Sequence, residues 1–212
     1  MGTRRNSRHR DRIILEPGSG QAVPQRLHKT VVLVGMMGAG KTAVGTALAR
    51  RLGVPFVDQD DEIQRAANRT IAEIFRENGE AFFREKETKV LERLLAGPPC
   101  VLSTGGGAFL AERNRDLIAA RGVAIWLRAE LNLLWARVRY RSTRPLLQTE
   151  NPFETLKGLY EARTPIYALA PIHVQAFSNY SVEDTAQAVV DTLARHPDIL
   201  TEDTETRHHA QH

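Results

Sequence analysis

The sequence predicts an α/β fold, a five-stranded parallel sheet with helices on both faces. Three observations carry this. Five short apolar runs alternate with longer helix-like stretches, the pattern of a chain that crosses over repeatedly between parallel strands. The first of those runs, "KTVVLVG" over 29–35, is apolar without alternation, as a strand covered on both faces must be. Directly after it comes "GMMGAGKT", Gly35 to Thr42, which matches G-x-x-x-x-G-K-[ST] in the strand–loop–helix context that motif needs.

The remaining elements follow in order. A helix is expected over 41–52, and "VPFVD" at 54–58 reads as a second, shorter strand. Residues 60–96 are charged and mostly helical, with Thr70 as an N-cap because Glu73 stands three residues on, the spacing of a capping box. "CVLSTGGG" over 100–107 is a third strand running into a glycine turn. A helix near 111–121 then leads through Gly122 into "VAIWLR" at 123–128, the fourth strand. The stretch 131–140 is helical and arginine-bearing, while 141–152 is polar and proline-broken, a loop. A helix near 153–169, the fifth strand "IHVQA" at 172–176 and a last helix near 182–195 complete the pattern.

Composition bounds the function. The chain has 212 residues, 42% hydrophobic and 25% charged, an ordinary globular balance with room for one sizeable core. No apolar run approaches the roughly 20 residues that span a bilayer. The single Cys100 has no partner for an internal disulfide, which suits a reducing, cytoplasmic setting, and in "CVLS" it reads as a small core residue. The net charge of +4 is local: residues 1–28 hold six arginines against Asp11 and Glu16, so the rest of the chain is formally neutral. Residues 1–28 are expected to be a disordered basic extension, since "EPGSGQAVPQ" has no apolar period. Residues 29–196 are expected to be one domain and 197–212 a disordered tail, whose paired His208 and His209 are too little for a metal site.

The chemistry starts at the phosphate loop. Its glycines let backbone N–H groups curl round phosphate oxygens, and the helix behind it aims its positive end at the same charge. Lys41 is expected to reach the outer phosphates and Thr42 to offer its hydroxyl to Mg²⁺. Asp58 and Asp60, two apart at the end of the second strand, are read as sharing one side of an extended chain. They are either a metal and hydroxyl site or the acidic first turn of a helix that Asp61 and Glu62 continue, and spacing alone does not choose. In "FFREKE", Arg84 and Glu87 stand at i and i+3 on one helix face, so the carboxylate can hold the guanidinium, although such pairs often lie idle on surfaces. The three glycines of "STGGGA" point to close approach of backbone to a ligand. Arg137, Arg139, Arg141 and Arg144 run into "RPLL" as a basic face or a closing loop. Arg163 precedes a helix end broken by proline.

Taken together, "GMMGAGKT", "FVDQD", "FFREKE", "LSTGGGAF", "RPLL" and "YEARTPIYALA", in that order over about residues 30–170, closely resemble the shikimate kinase family. The resemblance implies a P-loop kinase fold with substrate-binding helices at about 59–96 and a lid at about 141–152. It implies transfer of the γ-phosphate of ATP to the 3-hydroxyl of shikimate, on the route to chorismate and the aromatic amino acids. ATP would contact Gly38, Ala39, Gly40, Lys41, Thr42 and Ala43, with Arg137 against adenine and Arg144 bridging from the lid to the transferred phosphoryl group. Shikimate would contact Asp60, Arg84, Gly105, Gly106, Gly107 and Arg163, the two arginines gripping its carboxylate. One Mg²⁺ would sit by Thr42 and, through water, Asp58. Lys41, Asp60 and Arg144 are the expected catalytic residues. At the adenine edge the family often presents a basic or amide residue; "AFSNYSVED" offers Asn179 or Tyr180 instead.

Two rival readings stand beside this one. A related small-molecule kinase, such as one for gluconate, would share the phosphate loop but would not be expected to show the paired Arg84 and Arg163 beside the triple glycine. A nucleotide-binding module working through the basic tail on nucleic acid would interleave aromatics with the tail's arginines, and the tail lacks them. The expectation is a cytoplasmic monomer with no nucleic-acid or membrane partner.

Overall fold

The computed structural model describes residues 25–140 and 145–202. Arg144, residues 1–24 of the basic extension and 203–212 of the tail, with His208 and His209, lie outside the described residues.

Short strands and helices alternate along most of the chain. A three-residue strand β1, Gln25–Leu27, precedes β2, Thr30–Val34, and the helix α1, Lys41–Leu52. Next come β3, Phe56–Asp58, α2, Gln59–Ala67, and the long α3, Ile71–Leu95. Then β4, Val101–Ser103, is followed by α4, Glu112–Arg121, and β5, Gly122–Arg128. The chain continues through α5, Leu131–Val138, α6, Pro152–Tyr167, β6, Ile172–Gln175, α7, Val182–Leu193, and β7, Leu200–Glu202.

β3, β4, β2, β5 and β6 form, in that spatial order, a sheet whose pairs are all parallel. The fold class expected from the sequence is therefore present. β2 lies at the centre and all five of its residues are buried, which is why its sequence is apolar without a period of two. α1 packs on α7, and α3 on α4, flanking the sheet. Cys100 is a buried core residue beside Thr30, and burial pushes its thiol pKa up, which leaves it unreactive. No described helix is long and apolar enough to cross a membrane.

The two neighbours of β2 are β4 and β5. Connections leave the centre of the sheet toward both edges, and the gap between the diverging loops opens at the carboxyl ends of the strands, where ligands of such sheets bind. The phosphate loop follows β2 and the triple glycine follows β4, so the topology alone brings these two segments to one place.

Two expectations are corrected. The folded unit extends past both limits of 29–196. β1 pairs antiparallel with β7, His28 N donates to Ile199 O at 2.8 Å, and Lys29 pairs with Asp198 at 2.8 Å. Leu27, Ile199 and Leu200 are buried in the core; one or two apolar residues inside a polar segment make no readable period, and the strand partners are distant in sequence. The proline at 165 does not end its helix: α6 passes through it to Tyr167. The stretch 60–96 is mostly helical as expected, in two helices separated at Asn68 (φ 50°) and Thr70, with a break at Gly79 (φ 79°, ψ 176°) inside α3. Thr70 does form the expected capping box with Glu73.

Candidate active site

The phosphate loop is shaped by two glycines in left-handed backbone, Gly38 (φ 83°) and Gly40 (φ 95°), conformations that a side chain resists. Gly40 occupies the N-cap of α1 but has no side chain to offer the helix. By contrast α2, α3, α6 and α7 are capped by Asp58, Thr70, Asn151 and Ser181. The first N–H groups of α1 are thus left for an external acceptor, with no acidic residue in the first turn to compete. Lys41 Nζ donates to Gly35 O at 2.8 Å and Met36 O at 3.1 Å, lying over the same loop. Arg137 Nη1 donates to Gly38 O at 3.2 Å and Ala39 O at 3.4 Å, which ties α5 to the loop's outer edge.

The helix-cap reading of the acidic pair holds for Asp58. It caps α2, its Oδ1 accepting from Asp60 N at 3.0 Å, and its Oδ2 accepts from the Thr42 hydroxyl at 3.1 Å. One carboxylate therefore starts a helix and reaches the phosphate loop. Asp60 does not continue an extended strand, as the spacing argument assumed; it lies in the first turn of α2. It still lines the cleft with Asp58. Burial, then the Asp58 charge beside it, raise the Asp60 pKa above the ordinary aspartate value against the pull of Lys41. A carboxylate so placed is a better proton acceptor than a solvated one.

Arg84 is held from two sides. Its Nη1 donates to Glu87 Oε2 at 2.9 Å and Oε1 at 3.1 Å, and its Nη2 to Glu80 Oε1 at 3.2 Å. Glu87 is 1% exposed, so this is not a surface pair. Burial opposes the Arg84 charge, but Glu87 and Glu80 outweigh it and keep the guanidinium firmly protonated. Burial also raises the Glu87 pKa, against the attraction of Arg84.

The triple glycine proves to serve those side chains as well as any ligand. A Cβ on Gly105 would stand 2.8 Å from Asp60 Oδ1, and one on Gly107 would stand 2.6 Å from Arg84 Nη1. Both are closer than atoms pack, so the absence of side chains there is what lets Asp60 and Arg84 occupy the cleft. A Cβ on Gly106 would meet nothing closer than Arg163 Nη1 at 3.7 Å. Gly107→Ala should therefore displace Arg84 and raise the KM of a carboxylate-bearing acceptor by about tenfold, with the KM for the nucleotide unchanged. Steady-state kinetics check it, and an unchanged acceptor KM would separate Arg84 from binding.

These segments enclose one cleft of ≈ 750 Å³. It brings together Gly38, Ala39, Gly40, Lys41, Thr42, Ala43, Asp58, Asp60, Arg84, Gly105, Gly106, Gly107, Arg137 and Arg163; of the expected site, Arg144 alone falls outside the described residues. Tyr180 lines it too, along with Val182, whereas Asn179 does not. Sequence reading missed Glu80 and Tyr167. Both stand four residues from an arginine already singled out, Arg84 and Arg163, on the same helix face, so the spacing signal was present.

The fold and the cleft define a P-loop phosphotransferase whose phosphate loop opens on a cleft that also holds Asp60, Arg84 and Arg163. The family model for shikimate kinase matches residues 37–194, and the chain is 62% identical over 184 residues to the shikimate kinase of Cereibacter sphaeroides, spanning 87% of this chain and 92% of that protein. The chain belongs to the shikimate kinase family, whose members are ATP-dependent phosphotransferases. The shikimate kinase of Acinetobacter baumannii solved in complex with shikimate superposes with a TM-score of 0.73 at 39% identity, over 79% of this chain and 93% of that one. A gluconokinase from Sinorhizobium meliloti reaches 0.55 at 18% identity, over 80% and 94%, a likeness of fold alone.

Proposed function

We propose that this chain transfers the γ-phosphate of ATP to the 3-hydroxyl of shikimate, giving shikimate 3-phosphate and ADP, with the residues of the cleft in the following roles. The observation that carries the reading is the convergence of Asp60, Arg84 and Arg163 on the open N-terminus of α1 in one cleft. A neutral sugar would need neither guanidinium; a hydroxylated ring bearing a carboxylate needs both kinds of group.

The N–H groups from Gly38 to Ala43 hold the triphosphate, and Lys41 exchanges its carbonyl partners for phosphate oxygens. Arg84 and Arg163 take the carboxylate of the acceptor, which fixes its ring against Gly106. Asp60 accepts the hydrogen bond of the 3-hydroxyl and aims its oxygen at the γ-phosphorus. As the new P–O bond forms and the bond to the ADP oxygen breaks, the hydroxyl proton passes to Asp60. Little covalent work is asked of the protein; alignment and charge do the rest. Arg137 and the Tyr180 side of the cleft border the nucleotide. Arg144 is retained as the lid cation on the sequence resemblance alone.

Mg²⁺ fits the donor set. Among the described residues no group of three or more His, Cys, Asp or Glu side chains could cage a metal, but Mg²⁺ on a nucleotide takes one or two protein oxygens beside phosphates and water. The Thr42 hydroxyl and Asp58 carboxylate, 3.1 Å apart, are such oxygens, Asp58 acting through water. The ion supplies positive charge to the phosphates. Asp58→Asn, which preserves helix capping, should raise the Mg²⁺ concentration for half-maximal activity by about fivefold at unchanged shikimate KM. An unaltered Mg²⁺ dependence would remove Asp58 from the site.

We infer a monomer in a reducing cytoplasm, a setting that agrees with the lone, buried Cys100. The test is ADP release by the purified chain, coupled to an optical readout, with shikimate, gluconate or neither as acceptor. Release that depends on shikimate alone is expected; release with gluconate, or none with either, overturns the reading.

A further inference from the structure

Gly106 lies where the two halves of the cleft meet. The position a Cβ would take there is 3.7 Å from Arg163 Nη1, 3.8 Å from Tyr167 Oη and 3.9 Å from Gly35 O. Gly35 O is the same carbonyl that accepts from Lys41 at 2.8 Å. The acceptor pocket and the phosphate loop thus share one backbone junction.

Tyr167 holds that junction from below. Its side chain is 1% exposed and its ring stacks on Trp126, centroids 6.3 Å apart at 28°. Its hydroxyl donates to Gly106 O, and the Arg163 guanidinium stands on the same side of Gly106, both groups within 4 Å of the position a Cβ would take. A phenylalanine would fill the same space and bury no polar atom, so packing does not explain the hydroxyl. What the hydroxyl adds is a hold on a backbone carbonyl that lies beside a cation. Because a trans peptide sets C=O and N–H on opposite sides, fixing the Gly106 carbonyl on Tyr167 also fixes the Gly107 N–H, aimed the other way. Burial raises the phenol's pKa, which keeps it a donor at neutral pH.

We propose that Tyr167 is a positioning residue for acceptor recognition, its hydroxyl tying the Gly106 carbonyl and the Arg163 guanidinium into the arrangement that receives a cyclic hydroxy-carboxylate. This rests on the proposed role of Arg163 as a carboxylate ligand. Without the hydroxyl, Arg163 gains rotamers and the Gly106 peptide is free to turn, so the acceptor must order both on binding. The loss falls on acceptor affinity, and specifically on the part contributed by the carboxylate. Phosphate-loop geometry is untouched.

The experiment compares the full chain with Tyr167→Phe, using shikimate and its methyl ester as acceptors. Tyr167→Phe should raise the shikimate KM by about tenfold while kcat and the KM for ATP stay within about twofold. The preference for shikimate over the ester should shrink by a similar factor. An unchanged shikimate KM, or a joint loss in kcat and both KM values, overturns the proposal. A wild-type chain that releases no ADP with shikimate sinks the proposed function and this inference together, whereas an active wild type with an indifferent Tyr167→Phe sinks this inference alone. Should the variant not fold, wild-type protein labelled with ¹³Cζ-tyrosine gives a second readout. It has four tyrosines, and replacing Tyr140, Tyr160 and Tyr180 in turn assigns the fourth signal. That signal should move on saturation with shikimate and stay in place with the methyl ester; a signal indifferent to shikimate overturns the proposal.

Discussion

Asp60→Asn should cut phosphoryl transfer by about 10³-fold, the range for a lost proton acceptor, while ATP affinity changes by no more than about twofold. Asparagine keeps the shape and one carbonyl oxygen, so the helix turn and the Gly105 contact survive. What it loses is the charge proposed to accept the hydroxyl proton. Single-turnover kinetics for transfer and titration calorimetry for nucleotide binding check the two halves, and retained transfer would take Asp60 out of the mechanism. The raised pKa adds a pH signature. Transfer should fail as pH falls through the folded-state value of Asp60, a limb displaced upward from that of an ordinary aspartate and missing from the variant's residual activity. Stability moves the opposite way. A carboxyl whose pKa is raised by folding favours the folded state when protonated, so its contribution is present at low pH and is lost as pH rises through the folded-state value. Asp60→Asn should therefore melt higher than wild type at neutral pH and converge on it under acid, an active-site strain relieved by removing the charge.

Arg84→Ala should raise the shikimate KM by about 10²-fold, the effect of losing a charge-assisted contact of about 2–3 kcal/mol. It should also destabilise the fold, because the variant leaves Glu87, 1% exposed, without its cation. The cost is about 1–3 kcal/mol, smaller than for a rigidly ionised buried charge since Glu87 can take up a proton. Removing Arg84 removes the one attraction that opposes burial, so the Glu87 pKa climbs further. By the same sign rule the melting temperature of Arg84→Ala should recover as pH is lowered. The double variant Arg84→Ala, Glu87→Gln separates the two effects: it should regain stability at neutral pH without regaining shikimate affinity. Recovery of both together, or a normal shikimate KM in the single variant, would return Arg84 to a structural role.

Much of this was legible before any coordinates. The order of strands and helices, the phosphate loop and its Lys41 and Thr42, the capping box at Thr70 and the i, i+3 partnership of Arg84 with Glu87 all depend on residues close along the chain, where periodicity is set by local backbone geometry. Other features lay outside that reach. The strand end at Asp58 and the helical stretch after it are local and legible, but an extended chain sets Asp58 and Asp60 on one side of a strand, whereas they reach the cleft through a cap and a first turn. The β1–β7 pair joins segments from the two ends of the chain by three residues each, too short for either to declare itself.

The sequence by itself therefore determined the class of fold, the presence of a phosphate site and a set of candidate side chains, since each is written in neighbouring residues. Only the tertiary structure decided how those side chains meet. The sheet order β3-β4-β2-β5-β6 carries the loop after β4 to the loop after β2. There Gly105 and Gly107 make room for Asp60 and Arg84, Asp58 reaches Thr42, and Tyr167 holds the Gly106 carbonyl beside Arg163. Contacts between residues so far apart in sequence depend on which strands become neighbours, and that is a property of the packed sheet rather than of any segment in it.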